Sequence, residues 1–115
     1  VILIQVGDGS GPDLNSKYNF SGKLTFRQTG MLIREASLFV GTIGGLMHLT
    51  KAVGTHGIII HSGYEPLYMA SYKENTNLTK QVNCAPCGLK SPCPFNMKCM
   101  EISPNEVINA ILSNI

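Results

Sequence analysis

The chain has 115 residues, a net charge of +2, 43% hydrophobic residues and only 14% charged ones. That length holds one domain around one core, and so low a charge content excludes a disordered or fully solvated chain. No run of Lys and Arg forms the basic stripe of a nucleic-acid binder, and no apolar run approaches the roughly 18 residues of a membrane span.

The chain opens on "VILIQV", a continuous apolar run from Val1 to Val6 that "GDGSGPD" stops. The pattern predicts a strand buried on both faces, followed by a loop. Such a strand at residue 1, without an initiator Met, reads as a piece of a longer protein. "TFRQTGMLIRE", Thr25 to Glu35, predicts a helix with Thr25 as N-cap and Phe26, Gly30, Leu32 and Ile33 near one face. "SLFVGT" reads as a short strand, "GGLMHLTKAVG" as a helix closed by Gly54, and "GIIIHSG" as another strand. Apolar strands alternating with helices predict a parallel sheet with crossover helices, an α/β fold. The tail "SPNEVINAILSNI" carries the start signals of a helix: Ser103 as N-cap, Pro104 at N1 and Glu106 at N3. Val107, Ile108, Ile111 and Leu112 would be its apolar face.

The chemistry is expected at "VGTIGGLMHL". In an open parallel sheet, ligands bind beyond the carboxyl ends of the strands, where loops lead into helix N-termini. Gly41, Gly44 and Gly45 lie on such a connection, and the amides from Gly45 through Leu46 and Met47 to His48 open a helix. Those amides and the helix dipole would seat phosphate oxygens, with His48 donating a further hydrogen bond. The plainer alternative is that the glycines allow tight strand-to-helix packing. "HSGYEP" is the second ligand-facing loop by the same rule, offering Ser62, Gly63 and Tyr64.

"LFVGTIGGLMHLTKAVGT" resembles the signature of glycosyltransferase family 9, the ADP-heptose:lipopolysaccharide heptosyltransferase group. "NFSGKLTFRQTGMLIREASLFVG" is similar to that family's Gly-Lys-Thr segment and the helix after it. "CAPCGLKSPCPFNMKCMEISPNEVINAI" resembles the Cys-rich segment and last helix of one branch. The resemblance implies a Rossmann-like parallel sheet with flanking helices, the C-terminal, donor-binding half of a glycosyltransferase B fold, as a single domain over residues 1–115. Its donor would be a nucleoside diphosphate sugar of the ADP-heptose kind and its acceptor lipopolysaccharide core or protein, reached through an N-terminal half that also supplies the catalytic base. The resemblance places the nucleotide sugar at Gly44, Gly45, Leu46, Met47, His48 and Lys23, in a bacterial cytoplasmic enzyme, whether free or peripheral to the inner membrane. One position departs from the signature: its acidic residue falls on Ile43.

All four cysteines lie between Asn83 and Cys99 with the spacing C-x2-C-x5-C-x5-C. Cys84, Cys87, Cys93 and Cys99 could close a tetrahedral thiolate site for structural zinc or iron; two disulfides or four free thiols are the alternatives. A second function class follows from this cluster, a small metal-stabilised interaction module without catalysis. Lys90, Lys98 and one Phe are too few for it to track a nucleic acid.

Overall fold

A computed structural model of the chain describes residues 1–88 and 92–115, so Lys90 lies outside the described residues. Two parallel sheets form. The first pairs β1 (Ile4–Gln5) with β2 (Tyr18–Asn19). The second has the order β3 (Phe39–Thr42), β4 (Gly57–Ile60), β5 (Thr76–Leu78), with Val40 opposite Ile58 and Ile59 opposite Asn77. Helices α1 (Phe26–Glu35) and α2 (Gly45–Val53) flank β3 in sequence, the one-turn α3 (Leu67–Ala70) precedes β5, and α4 (Pro104–Asn114) ends the chain. The predicted α/β class with parallel strands is therefore observed.

The caps explain the helix boundaries. Thr25 accepts from the Gln28 amide while the Gln28 side chain accepts from the Thr25 amide, a reciprocal box that satisfies two orphan donors. Ser103 and Glu106 do the same for α4, with Pro104 in the first turn. Gly54 ends α2 in the left-handed region at φ 81°, a conformation that costs glycine nothing. On α1 the inward residues are Thr29, Gly30 and Ile33, whereas Phe26 is 61% exposed and Leu32 half-buried.

The core lies where α1 packs on α2 and α2 on β4: Ile33, Met47, Ile58 and Ile59 are buried, together with Thr29, Thr50 and His61. Each apolar side chain so placed contributes about 1.5–3 kcal/mol. Thr50 and Thr29 are tolerated there because their hydroxyls donate to the Leu46 and Thr25 carbonyls of the turn below.

Two expectations need correction, and three elements have no counterpart in the sequence pattern. Val1–Val6 is not a strand buried on both faces: pairing is limited to Ile4–Gln5, and Val1, Ile2 and Leu3 are 104%, 60% and 65% exposed because nothing among the described residues covers them. The apolar face of α4 is only half used, with Ile108 and Leu112 exposed. Finally, β2, α3 and β5 had no counterpart in the apolar pattern; β5 is Thr-Asn-Leu, a strand held by its backbone ladder and by polar side chains.

Candidate functional site

Helices α1 and α2 run side by side in the same direction. A Cβ on Gly45 would stand 3.8 Å from the Phe26 ring, and one on Gly30 would stand 3.0 Å from Leu49 Cδ1, four residues further along each helix. Both helix N-termini therefore face one rim, at the carboxyl end of β3, and their positive dipole ends add there. The loops after β1 and β2 join across Gly22, whose amide donates to the Gly7 carbonyl at 2.9 Å. Lys23 is exposed on this loop and its Nζ donates to the Asn19 carbonyl at 3.2 Å.

The turn into α2 is open. Gly44 is the N-cap, without a capping side chain, and a Cβ built on it would meet nothing within 4 Å. The amides of Met47 and His48 donate to the Gly44 carbonyl at 3.1 and 3.3 Å. This narrows the expectation of four free amides: the Gly45 and Leu46 amides are the two without a backbone acceptor among the described residues. Met47 is fully buried and contributes packing plus a backbone position, whereas Gly44, Gly45 and His48 are exposed and Ile43 and Leu46 half-buried.

His48 is oriented from outside the helix. Its Nδ1 lies 2.7 Å from the Tyr72 hydroxyl, with the two rings edge-on at 5.6 Å. One turn later Lys51 pairs with Glu74 at 2.8 Å and lies over the Tyr72 ring. The hydrogen bond from Lys51 holds the Glu74 carboxyl below the usual glutamate range. When the tyrosine hydroxyl donates to Nδ1, the ring proton of a neutral His48 sits on Nε2, where it can donate to a ligand oxygen.

A recess opens at the carboxyl ends of β4 and β5. It measures about 160 Å³, and its walls include His61, Ser62, Glu65, Thr79 and Lys80. Ser62 and Gly63 thus line this recess and not the α2 turn. His61 Nε2 meets Asn77 Oδ1 at 2.8 Å, and Asn77 Nδ2 donates to the Tyr72 carbonyl at 3.0 Å. Asn77 thus ties His61 to the Tyr72 backbone, while the side chain of the same tyrosine meets His48. His61, Asn77 and Tyr72 were not singled out from sequence; a histidine ending the apolar run "GIII" was the available signal.

The cysteine segment packs against this second loop. The amides of Cys87 and Gly88 donate to the carbonyls of Gly63 and Tyr64 at 3.0 and 2.7 Å, and a Cβ on Gly63 would stand 3.1 Å from Cys99 Cβ. All four cysteines are free, and among the described residues no three His, Cys, Asp or Glu side chains stand close enough to share a metal ion. As placed, Cys84, Cys87, Cys93 and Cys99 do not fit a tetrathiolate zinc or iron centre. No described helix is long and apolar enough to cross a membrane.

The family model for glycosyltransferase family 9 (heptosyltransferase) matches residues 12–98. No curated protein and no solved structure matches the chain.

Proposed function

We propose, from the premise that this chain belongs to glycosyltransferase family 9, that it is the part of a heptosyltransferase-like enzyme that binds the nucleoside diphosphate sugar. The observation that carries this reading is the open turn from Gly44 to His48, where two unpaired amides, two helix dipoles and an oriented imidazole converge on one rim. Such a rim suits a diphosphate. In sugar transfer the bond between the anomeric carbon and the phosphate oxygen breaks, and the electron pair leaves with the diphosphate. The Gly45 and Leu46 amides, with no backbone acceptor of their own, would stabilise the charge that the diphosphate gains. The acceptor hydroxyl attacks the anomeric carbon and yields its proton to a base on an N-terminal half of the enzyme. Heptose or a related sugar is the group moved, lipopolysaccharide core or protein the acceptor, and the cytoplasm the compartment.

Ile43 weakens the case for a direct acidic contact to the sugar or ribose, so the diphosphate carries most of the affinity. Calorimetry with ADP, UDP and GDP tests the reading. One of them should bind the chain with a Kd on the order of 0.1 to 1 mM, or roughly 4 to 5.5 kcal/mol, and the chain alone should turn over no nucleotide sugar. Absence of any nucleotide binding would favour the interaction module, and sugar transfer by this chain alone would contradict its assignment as a donor-binding half.

A further inference from the structure

His61 is 2% exposed, and its two ring nitrogens have different fates. The Asn77 amide group donates to the carbonyls of Tyr72 and Asn75 at 3.0 and 3.4 Å, which turns Oδ1 toward His61. Facing an acceptor, Nε2 must carry the ring proton. In the neutral ring Nδ1 is then a bare acceptor, and it is buried without a partner among the described residues. An unsatisfied buried acceptor of this kind is destabilising, and so calls for an explanation.

The position of the ring supplies one. His61 stands in the wall of the recess beyond β4 and β5, whose lining combines the polar Ser62, Glu65, Thr79 and Lys80 with the apolar Pro66 and Leu67. A ligand that satisfies Nδ1 must bring a donor, which a fully ionised phosphate lacks. Glu65 also asks for donors, and the Ser62 and Thr79 hydroxyls and Lys80 offer hydrogen bonds in return. A molecule with a hydroxyl on successive carbons meets this mixture, because each hydroxyl both donates and accepts. At about 160 Å³ the recess is smaller than the ~300–1,000 Å³ of a pocket for a drug-sized ligand. It suits one sugar ring and not a whole nucleotide.

We infer that the recess at the carboxyl ends of β4 and β5 is a sugar subsite in which His61 Nδ1 accepts a hydrogen bond from a ligand hydroxyl. The inference rests on the donor-binding reading and goes beyond it by separating the sugar contact from the diphosphate turn. Because Nδ1 is buried, the wall that covers it must shift for a ligand hydroxyl to reach it. Asn77 is a positioning residue, acting through the tautomer it imposes on His61.

The test uses the 115-residue chain with ADP, UDP and GDP and with the glucose conjugate of each. Nitrogen-15 NMR of the imidazoles should show the His61 Nδ1 resonance moving on addition of the glucose conjugate of whichever nucleotide binds, and staying in place with that nucleoside diphosphate alone. His61→Gln keeps an amide donor for Asn77 and deletes the Nδ1 acceptor. It should raise the Kd of the glucose conjugate by about 5- to 30-fold, the loss of one hydrogen bond, and leave that of the nucleoside diphosphate unchanged. If His61→Gln does not fold, the NMR measurement on the unaltered chain decides. A still Nδ1 resonance, or equal losses for both ligands, overturns the sugar subsite and leaves the diphosphate turn standing. Failure of all the nucleotides and conjugates to bind overturns both.

Discussion

Replacing His48 by alanine separates a phosphate-binding histidine from one that merely holds Tyr72. Two hydrogen bonds are at stake. The contact between His48 Nδ1 and the Tyr72 hydroxyl is 2.7 Å long but exposed, so its loss should lower stability by about 0.5–1.5 kcal/mol. A bond from Nε2 to an anionic phosphate oxygen belongs to the stronger, charge-assisted class. At this exposed rim we take it as about 1–2 kcal/mol, so His48→Ala should raise the nucleotide Kd about 5- to 30-fold. Tyr72→Phe supplies the control. It keeps the imidazole and removes the hydroxyl that selects its tautomer; with two equally populated tautomers the competent fraction falls to about one half, and the Kd rises only about twofold. Titration calorimetry gives the affinities and urea denaturation of the same variants gives the stabilities. If His48→Ala lowers the urea midpoint while the nucleotide Kd stays fixed, the ring serves Tyr72 alone and the phosphate assignment fails.

Ile43→Asp, made in an enzyme containing both halves, should tighten nucleotide-sugar binding by about fivefold through one added hydrogen bond; no gain would mean that the turn no longer has the family's shape. Gly63→Ala puts a methyl 3.0 Å from Ala85 Cβ and 3.1 Å from Cys99 Cβ, and should cost about 1–3 kcal/mol of stability by overpacking. An unchanged midpoint would show that the cysteine segment does not sit on this loop. Elemental analysis of the purified chain should find no stoichiometric zinc or iron, and all four thiols should react with a thiol reagent; one equivalent of metal, lost in any Cys→Ser variant, would require the segment to close into a tetrathiolate site. The Glu106 carboxyl is held below its ordinary range by the Ser103 amide and hydroxyl. Its cap is therefore fully present above about pH 4.3, the unfolded value, and is lost as pH falls through the lower folded value, so the protection of the Ser103 amide, relative to its intrinsic exchange rate, should fall only in acid.

Much of this architecture was legible because its signals are local. The N-caps at Thr25 and Ser103 and the Gly54 stop depend on neighbours three or four residues away, and the sequence carries all three, whereas the Gln28 half of the Thr25 box appears only in the structure. Strand β5 was not legible, since Thr76, Asn77 and Leu78 gain their place from pairing with Ile58, Ile59 and Ile60 across an intervening loop. The same distance hides the site's supports. Nothing near His48 in sequence points to Tyr72, and nothing near His61 points to Asn77; Tyr72 is brought by the segment between α3 and β5, and Asn77 by β5 itself. Ser62 and Gly63 were rightly placed at a carboxyl end, but which site they serve depended on how β4 and β5 align. The apolar run from Val1 to Val6 misled because patterning reports what a strand is built to bury, and in this chain the cover is absent among the described residues.

The division of the strands into two sheets has a consequence for how the molecule opens. No residue from Val1 to Thr25 is buried, whereas Thr29 to Asn75 contains every buried side chain among the described residues. The β1–β2 pair, with the Gly7 and Gly22 loops, is then a separate cooperative unit that can unfold while β3–β4–β5 stays closed. Its amides should lose hydrogen-exchange protection first. Lys23 rides on that looser unit and Gly45 on the firmer one, so any ligand held by both must order the first against the second, and part of the free energy of its contact with Lys23 is spent on that ordering.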